Sequence, residues 1–330
     1  LLKNKESYLC LSAMLRAREP KLLNADKAAR MLDASTYEEA AKLLTDCGYE
    51  DMSQMNTSEV EQVLSGHRKE IFEEIKRLSP DRMIPELFQM KYDYHNAKVI
   101  LKAEAMESAS DHLLSDAGRI SPAELKSLYH EEKFSSMPGH LGKAMEEASS
   151  LLARTANPQQ ADFVLDKAYY AEFTEAAKQS GNAFLQGYGK LLIDCANLKS
   201  TVRTMRMGKD RDFLKDALIP GGSIGTDRIL AASDKEALAA LFSCSELEKA
   251  AALGAEAIDG GTLTDFERSC DNALNTYLGK AKLVSFGSEP VTAYLAAVEN
   301  EITAVRMILT GRLAGIRSDV IRERLRDLYA

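Results

Sequence analysis

Between positions 191 and 208 the apolar residues recur at alternating steps of four and three, with Leu191, Cys195, Leu198, Val202 and Met205 marking a single seam. That spacing predicts a helix that buries one face. Asp194 and Asn197 flank the seam. Lys199, Arg203 and Arg206 follow at steps that bring their charges onto a shared face. Gly208 supplies a stop, and Pro220-Gly221-Gly222 closes a second short run as a turn. The same periodicity predicts helices along nearly the whole chain. Ser35-Thr36 and Ser121-Pro122 read as helix starts, and Thr57-Ser58 as the start of a long helix through Val63, Ile71, Ile75 and Leu78 that Pro80 ends. A helix is expected over Glu86–Met106, another over Leu141–Leu152 and another over Gln160–Ser180. The string FVLDKAYY inside the last of these has strand-like composition, but its flanks carry helical spacing. Ser233-Asp234-Lys235-Glu236 reads as a capping box, Thr264 as a cap, and Pro290 as a first-turn proline. The terminal IRSDVIRERLRDLY predicts an amphipathic helix to Tyr329, with an arginine face.

The seam helix has two echoes. Moving back 101 residues places Met90, Tyr94, Ala97, Leu101 and Glu104 in its register, with Asp93, Asn96, Lys98 and Lys102 on the positions of Asp194, Asn197, Lys199 and Arg203. Moving forward 103 residues places Tyr294, Val298, Val305 and Ile308 in register, with Asn300 on Asn197 and Arg306 on Arg203. There Ala297 replaces the aspartate and Glu301 occupies a seam position, so it is either buried and paired, with a basic group as the expected partner, or on a rotated, exposed helix. Three related helices at near-equal spacing predict three tandem copies of one unit, 1–106, 107–210 and 211–330, each longer than a solenoid repeat and each a helical subdomain.

The stretches DYHNAK, LLIDCANLKSTVR with RMGKDRDFLKDALIPGGSI, and YLAAVENEITAVRMILTGRLAGIRSDVIRERLRDLY resemble the family of C subunits of V-type and A-type ATPases, whose eukaryotic counterpart is the d subunit. The resemblance extends to YLCLSAMLRAREPKLL near the start. It implies an all-α, three-lobed funnel or cup standing between the soluble central stalk and the membrane rotor ring. Its implied partners are the stalk subunits D and F and the proteolipid ring, with the membrane-embedded stator subunit as a further neighbour. It also implies a place on the cytoplasmic face as a peripheral rotor subunit of a proton- or sodium-translocating ATPase, without catalysis or cofactor of its own.

Composition fits that picture. Tryptophan is absent and glycine and proline are sparse, which favours helix. A net charge of −8 argues against a general nucleic-acid binder while leaving room for local basic patches. Five cysteines show no CxxC pair and read as small buried hydrophobes. No apolar run approaches the roughly 18 to 20 residues that span a bilayer, and no charged-then-apolar leader opens the sequence.

Candidate chemistry is thin. Asp93-x-x-Asn96 and Asp194-x-x-Asn197 lie one helical turn apart and have the donor type for a divalent cation, but neighbouring lysines and arginines neutralise such a site. Capping, hydrogen bonding or ion pairing between units is the expected role. PGGSIG lacks the GK[ST] of a phosphate loop and follows a helix, so it reads as a structural turn. The histidines show no ligand spacing and no nucleophile elbow is present. The polar set Asp93, Asn96, Lys98, Lys102, Asp194, Asn197, Lys199, Arg203, Arg206, Asn300, Glu301 and Arg306 is therefore assigned to interfaces or to joints between units, with no catalytic and no metal residue. A generic all-α adaptor that binds a partner helix is the alternative.

Overall fold

The computed structural model describes residues 4–106 and 111–330. Every regular element among them is helical. In chain order these are α1 (Leu9–Arg18), α2 (Ala25–Asp33), α3 (Tyr37–Lys42), α4 (Thr57–Leu78), α5 (Met83–Ala105), α6 (Pro122–His130), α7 (Leu141–Thr155) and α8 (Pro158–Ser180). There follow α9 (Ala183–Arg206), α10 (Arg211–Ala217), α11 (Thr226–Ala231), α12 (Lys235–Leu241), α13 (Glu248–Ile258), α14 (Leu263–Gly279), α15 (Ser288–Leu313) and α16 (Ser318–Arg324).

Residues Glu86–Leu241 pack as one compact body, and residues 4–85 pack with Phe242–Ala330 as another. These limits are not those of the three sequence copies. The motif helix of the first copy and the first helices of the third lie in the middle body.

In the middle body α8 packs on both α7 and α9. The apolar face of α7 is Leu141, Ala144, Met145 and Ala148, spaced three, four and seven apart and all buried. Gly142 lets that helix meet the chain before it, because a Cβ there would lie 1.8 Å from the Phe134 carbonyl oxygen. The segment FVLDKAYY is helical within α8, and its aromatic residues are half-buried. Tyr169 meets Tyr94 edge-on at 5.7 Å between ring centres, and Phe173 meets Tyr188 at 6.2 Å. Such pairs add directional preference to a large buried apolar area.

The other body is organised around α15, which is buried along almost its whole length. A helix that is apolar on every side requires neighbours on every side, and α1, α3, α4 and α14 supply them. Its polar exceptions are paired. Arg68 of α4 lies 3.1 Å from Glu299. Ser12 of α1 and Gly287 exchange hydrogen bonds between side chain and backbone. Arg312 donates to the carbonyls of Leu32 and Ala34 at 3.0 and 2.6 Å, so a cation closes the C-terminal end of α2.

Two caps and the last helix differ from the sequence expectation. The long helix α4 is capped by Asn56 rather than by Thr57 or Ser58: Asn56 Oδ1 accepts from Ser58 and Glu59, and the Glu59 carboxylate accepts from the Asn56 amide. Asparagine competes well for this position because its short carbonyl reaches the orphan amides. At α14 the cap position is Thr262, not Thr264. The terminal helix stops at Arg324. Beyond it Arg326 pairs with Asp271, Arg268 donates to the Glu323 carbonyl, Asn275 donates to the Asp327 carbonyl, and the Asp327 amide donates to Asn272. The extended tail thus bonds along α14 in place of its own helix turns. Replacing Asn56 by alanine should lower stability by about 1 kcal/mol, read as a lower urea midpoint with unchanged helix content by circular dichroism.

Candidate functional site

The echoed Asp-x-x-Asn pairs make one and the same structure twice. On α5, Asn96 donates to the Ser115 carbonyl and accepts from the Ser115 amide, both at 2.8 Å. On α9, Asn197 does this to Ile219, again at 2.8 Å in both directions. Asp93 accepts from the amides of Arg119 and Ile120 at 2.8 and 3.3 Å. Asp194 accepts from Ser223 and Ile224 at 3.0 and 3.2 Å. In each case the aspartate binds amides four and five residues beyond the residue the asparagine holds. The next residue, Ser121 or Gly225, is the N-cap of the following helix.

Glycine is required at matching places in the two loops. A Cβ on Gly118 would fall 2.3 Å from Asp93 Oδ1, and one on Gly222 would fall 2.2 Å from Asp194 Oδ1. A methyl group there displaces the carboxylate from the amides it serves. Ile120 and Ile224, just before each cap, are buried, as are Leu125 and Ile229 five residues on, the positions of a hydrophobic staple. The PGG turn therefore does bind an anion, and the anion is the chain's own Asp194.

The third copy reaches a related arrangement by another route. Ala297 stands on the aspartate position and is buried, and Asn300 donates to Asn275 of α14 instead of holding a loop. One turn further along, Glu301 is 2 % exposed. It accepts from the Leu23 amide at 2.5 Å and from the Tyr49 hydroxyl at 2.8 Å. Leu23 is the residue before Asn24, the N-cap of α2. A carboxylate on each motif helix thus holds the amide just before the first cap of another helix: α5 for α6, α9 for α11, α15 for α2. Glu301 is buried, and its donors are neutral rather than the basic group that the sequence suggests.

Charge is handled differently at each joint. Asp93 also meets the Arg119 guanidinium at 2.6 Å, and Arg119 reaches Glu172 of α8 at 2.5 Å. Glu172 in turn accepts from Tyr94 and from the His140 amide at 2.7 and 3.0 Å. Burial pushes the Asp93 carboxyl above the usual aspartate range, with Arg119 and the loop amides pulling it back. Burial likewise raises Asp194, opposed chiefly by the amides of Ile224 and Ser223. Arg119 and Glu172 carry no periodic signal and are distant in sequence, so pattern reading passes over them. The matching glycines and isoleucines of AGRIS and GGSIG were the signal that a loop comparison would have used.

The basic residues of the set form a second layer. Lys98 and Lys102 of α5 donate to Asp166 and Asp162 of α8, both at 2.6 Å. Arg306 of α15 makes a two-pronged pair with Glu61 of α4 at 2.6 and 2.7 Å. Lys199 is half-buried, while Arg203 and Arg206 at the end of α9 are exposed. The terminal arginines are partly turned to the chain itself, Arg322 to Asp33 and Arg326 to Asp271.

The described residues form an all-α chain whose buried carboxylates fasten loops onto long helices. The chain belongs to the ATP synthase (C/AC39) subunit family, whose model matches residues 11–324. It is 26% identical to the C subunit of the V-type sodium ATPase of Enterococcus hirae over 329 residues, covering 98% of this chain and 99% of that one. It is 24% identical to the C subunit of the A-type ATP synthase of Methanocaldococcus jannaschii, over 97% of this chain and 86% of the relative. It is 25% identical to the corresponding A-type ATP synthase C subunit of Haloquadratum walsbyi, over 95% and 96%. No helix among the described residues is long and apolar enough to cross a membrane.

Asn197→Ala removes both bonds to Ile219 and leaves a buried amide and carbonyl unpaired, a loss of roughly 2 to 4 kcal/mol. Gly222→Ala should destabilise the same joint without removing a polar group. Both are expected to lower the urea midpoint, and a midpoint equal to that of the native chain for either would contradict the joint.

Proposed function

We propose that this chain is a non-catalytic central-stalk rotor subunit of a V/A-type ATPase, which couples stalk subunits of the D and F type to the membrane proteolipid ring on the cytoplasmic face. It is built as three pseudo-equivalent helical copies. Membership of the C/AC39 family, matched over residues 11–324, carries the assignment to such a complex. The repeated carboxylate joint supports the three-copy reading. The α5 joint runs from the first copy to the second, the α9 joint from the second to the third, and the α15 joint from the third to the first. The basic layer follows the same order, with α5 paired to α8 and α15 to α4.

A coupling element of this kind needs stiffness and broad contact rather than a reactive group. Buried ion pairs and loop clamps resist sliding of one copy on the next, because breaking them strands desolvated charge. In this reading Lys98, Lys102 and Arg306 are joint residues, and the exposed Arg203 and Arg206 meet an acidic surface of the stalk, where charge sets orientation more than affinity.

Affinity capture from detergent-solubilised membranes tests the reading. The tagged native chain should retain stalk subunits of the D and F type together with proteolipid. R203E/R206E should retain several-fold less of the stalk subunits while remaining folded. Capture of unrelated proteins without any rotary ATPase subunit would contradict it.

A further inference from the structure

Of the three carboxylates that fasten loops, Glu301 sits in the least compensated surroundings. Asp93 has a guanidinium at 2.6 Å and Asp194 has two backbone amides, whereas Glu301 has one amide and one phenol. Lys27 of α2 lies near enough to favour the ionised form, while the other charged groups nearby are engaged elsewhere. Lys27 of α2 donates to Cys47 Sγ at 3.6 Å, and Arg68 of α4 is paired with Glu299 of α15. Arg18 of α1 is paired with Glu74, beyond Tyr294. His67 of α4 stacks on the Tyr49 ring at 4.2 Å between centres and is itself held below the usual histidine range by burial.

We propose that the Glu301 joint is proton-responsive: it tightens when the carboxyl is neutral and loosens when it is ionised, so that the hold of α15 on the loop before α2 follows the pH around the protein. The two states need no movement of heavy atoms. With a proton on Oε1, the Tyr49 hydroxyl turns from donor to acceptor, and Oε2 still accepts from the Leu23 amide. Only the desolvated charge is lost.

Burial pushes the Glu301 carboxyl above the usual glutamate range, with the Leu23 amide, the Tyr49 hydroxyl and the Lys27 ammonium opposing it. For an acid raised in the closed joint, the stabilisation is fully present below the ordinary glutamate range. It is lost as pH rises through the raised value. The meaning of the device rests on the reading of α15 as the helix that joins the third copy to the first, but its test needs only the full-length chain in solution.

Amide exchange over residues 22–33, corrected for the intrinsic pH dependence and followed from about pH 5 to about pH 8, reads the joint directly. Protection in the native chain should fall with rising pH, by up to about tenfold for each unit of elevation of the carboxyl. In Glu301→Gln the fall should vanish, because glutamine keeps an acceptor for Leu23 and offers an N–H to Tyr49 without a titrating proton. Tyr49→Phe keeps the carboxyl but removes one donor to its ionised form, and should move the fall to higher pH. A native profile without slope, a slope unchanged by Glu301→Gln, or a Tyr49→Phe profile not displaced upward would each overturn the proposal. Failure to capture rotary subunits leaves this slope untouched, and a missing slope leaves the capture untouched, so the two readings fail separately.

Discussion

A carboxylate buried on a long helix, accepting backbone amides from the loop that leads into another helix, is the interaction on which this fold depends. A helix start exposes amides that have no partner in their own helix, and the residues just before a cap share that need. The residues whose amides are held just before the caps, Ile120, Ile224 and Leu23, are buried. Only an internal acceptor then spares the cost of a desolvated amide. The asparagine one turn along each of the first two motif helices fixes the loop a second time, at both polar groups of a single residue. Two attachments four residues apart leave the loop one conformation and one height along the helix.

The glycines explain why these loops look as they do. At Gly118 and Gly222 the carboxylate oxygen occupies the place a side chain would take, so loop composition is dictated by the helix it lies on. The third joint shows that the constraint is on the contact and not on the residue. With Ala297 at the aspartate position, a longer side chain from the next turn reaches an equivalent amide. The substitution has a physical consequence: Glu301 lacks the company of a guanidinium, and its joint rests on a phenol as the second donor.

Most of the helical framework was legible in the sequence. The seam of α9 and its echoes in α5 and α15 lie where the spacing puts them, and FVLDKAYY is helical because its flanks set the period. Chemistry was half legible. The polar residues Asp93, Asn96, Asp194 and Asn197 stood out, but their partners are loop amides, which almost every residue possesses and no side-chain pattern marks. Arg119 and Glu172 were hidden for the same kind of reason: their bond spans 53 positions and joins a loop to a helix face. The terminal helix was over-extended because its amphipathic spacing continues past Arg324, while the groups of α14 offer the last residues better partners than a further helical turn would.

The central claim is that three loop segments are clamped as firmly as helices by carboxylates on α5, α9 and α15. Native-state hydrogen exchange of the Ile120, Ile224 and Leu23 amides, followed at the acid end of the range where Glu301 is neutral, measures it without any substitution. Protection close to that of amides in the middle of α9 and α15 is expected. Exchange at the rate of an open loop at any of the three would contradict it.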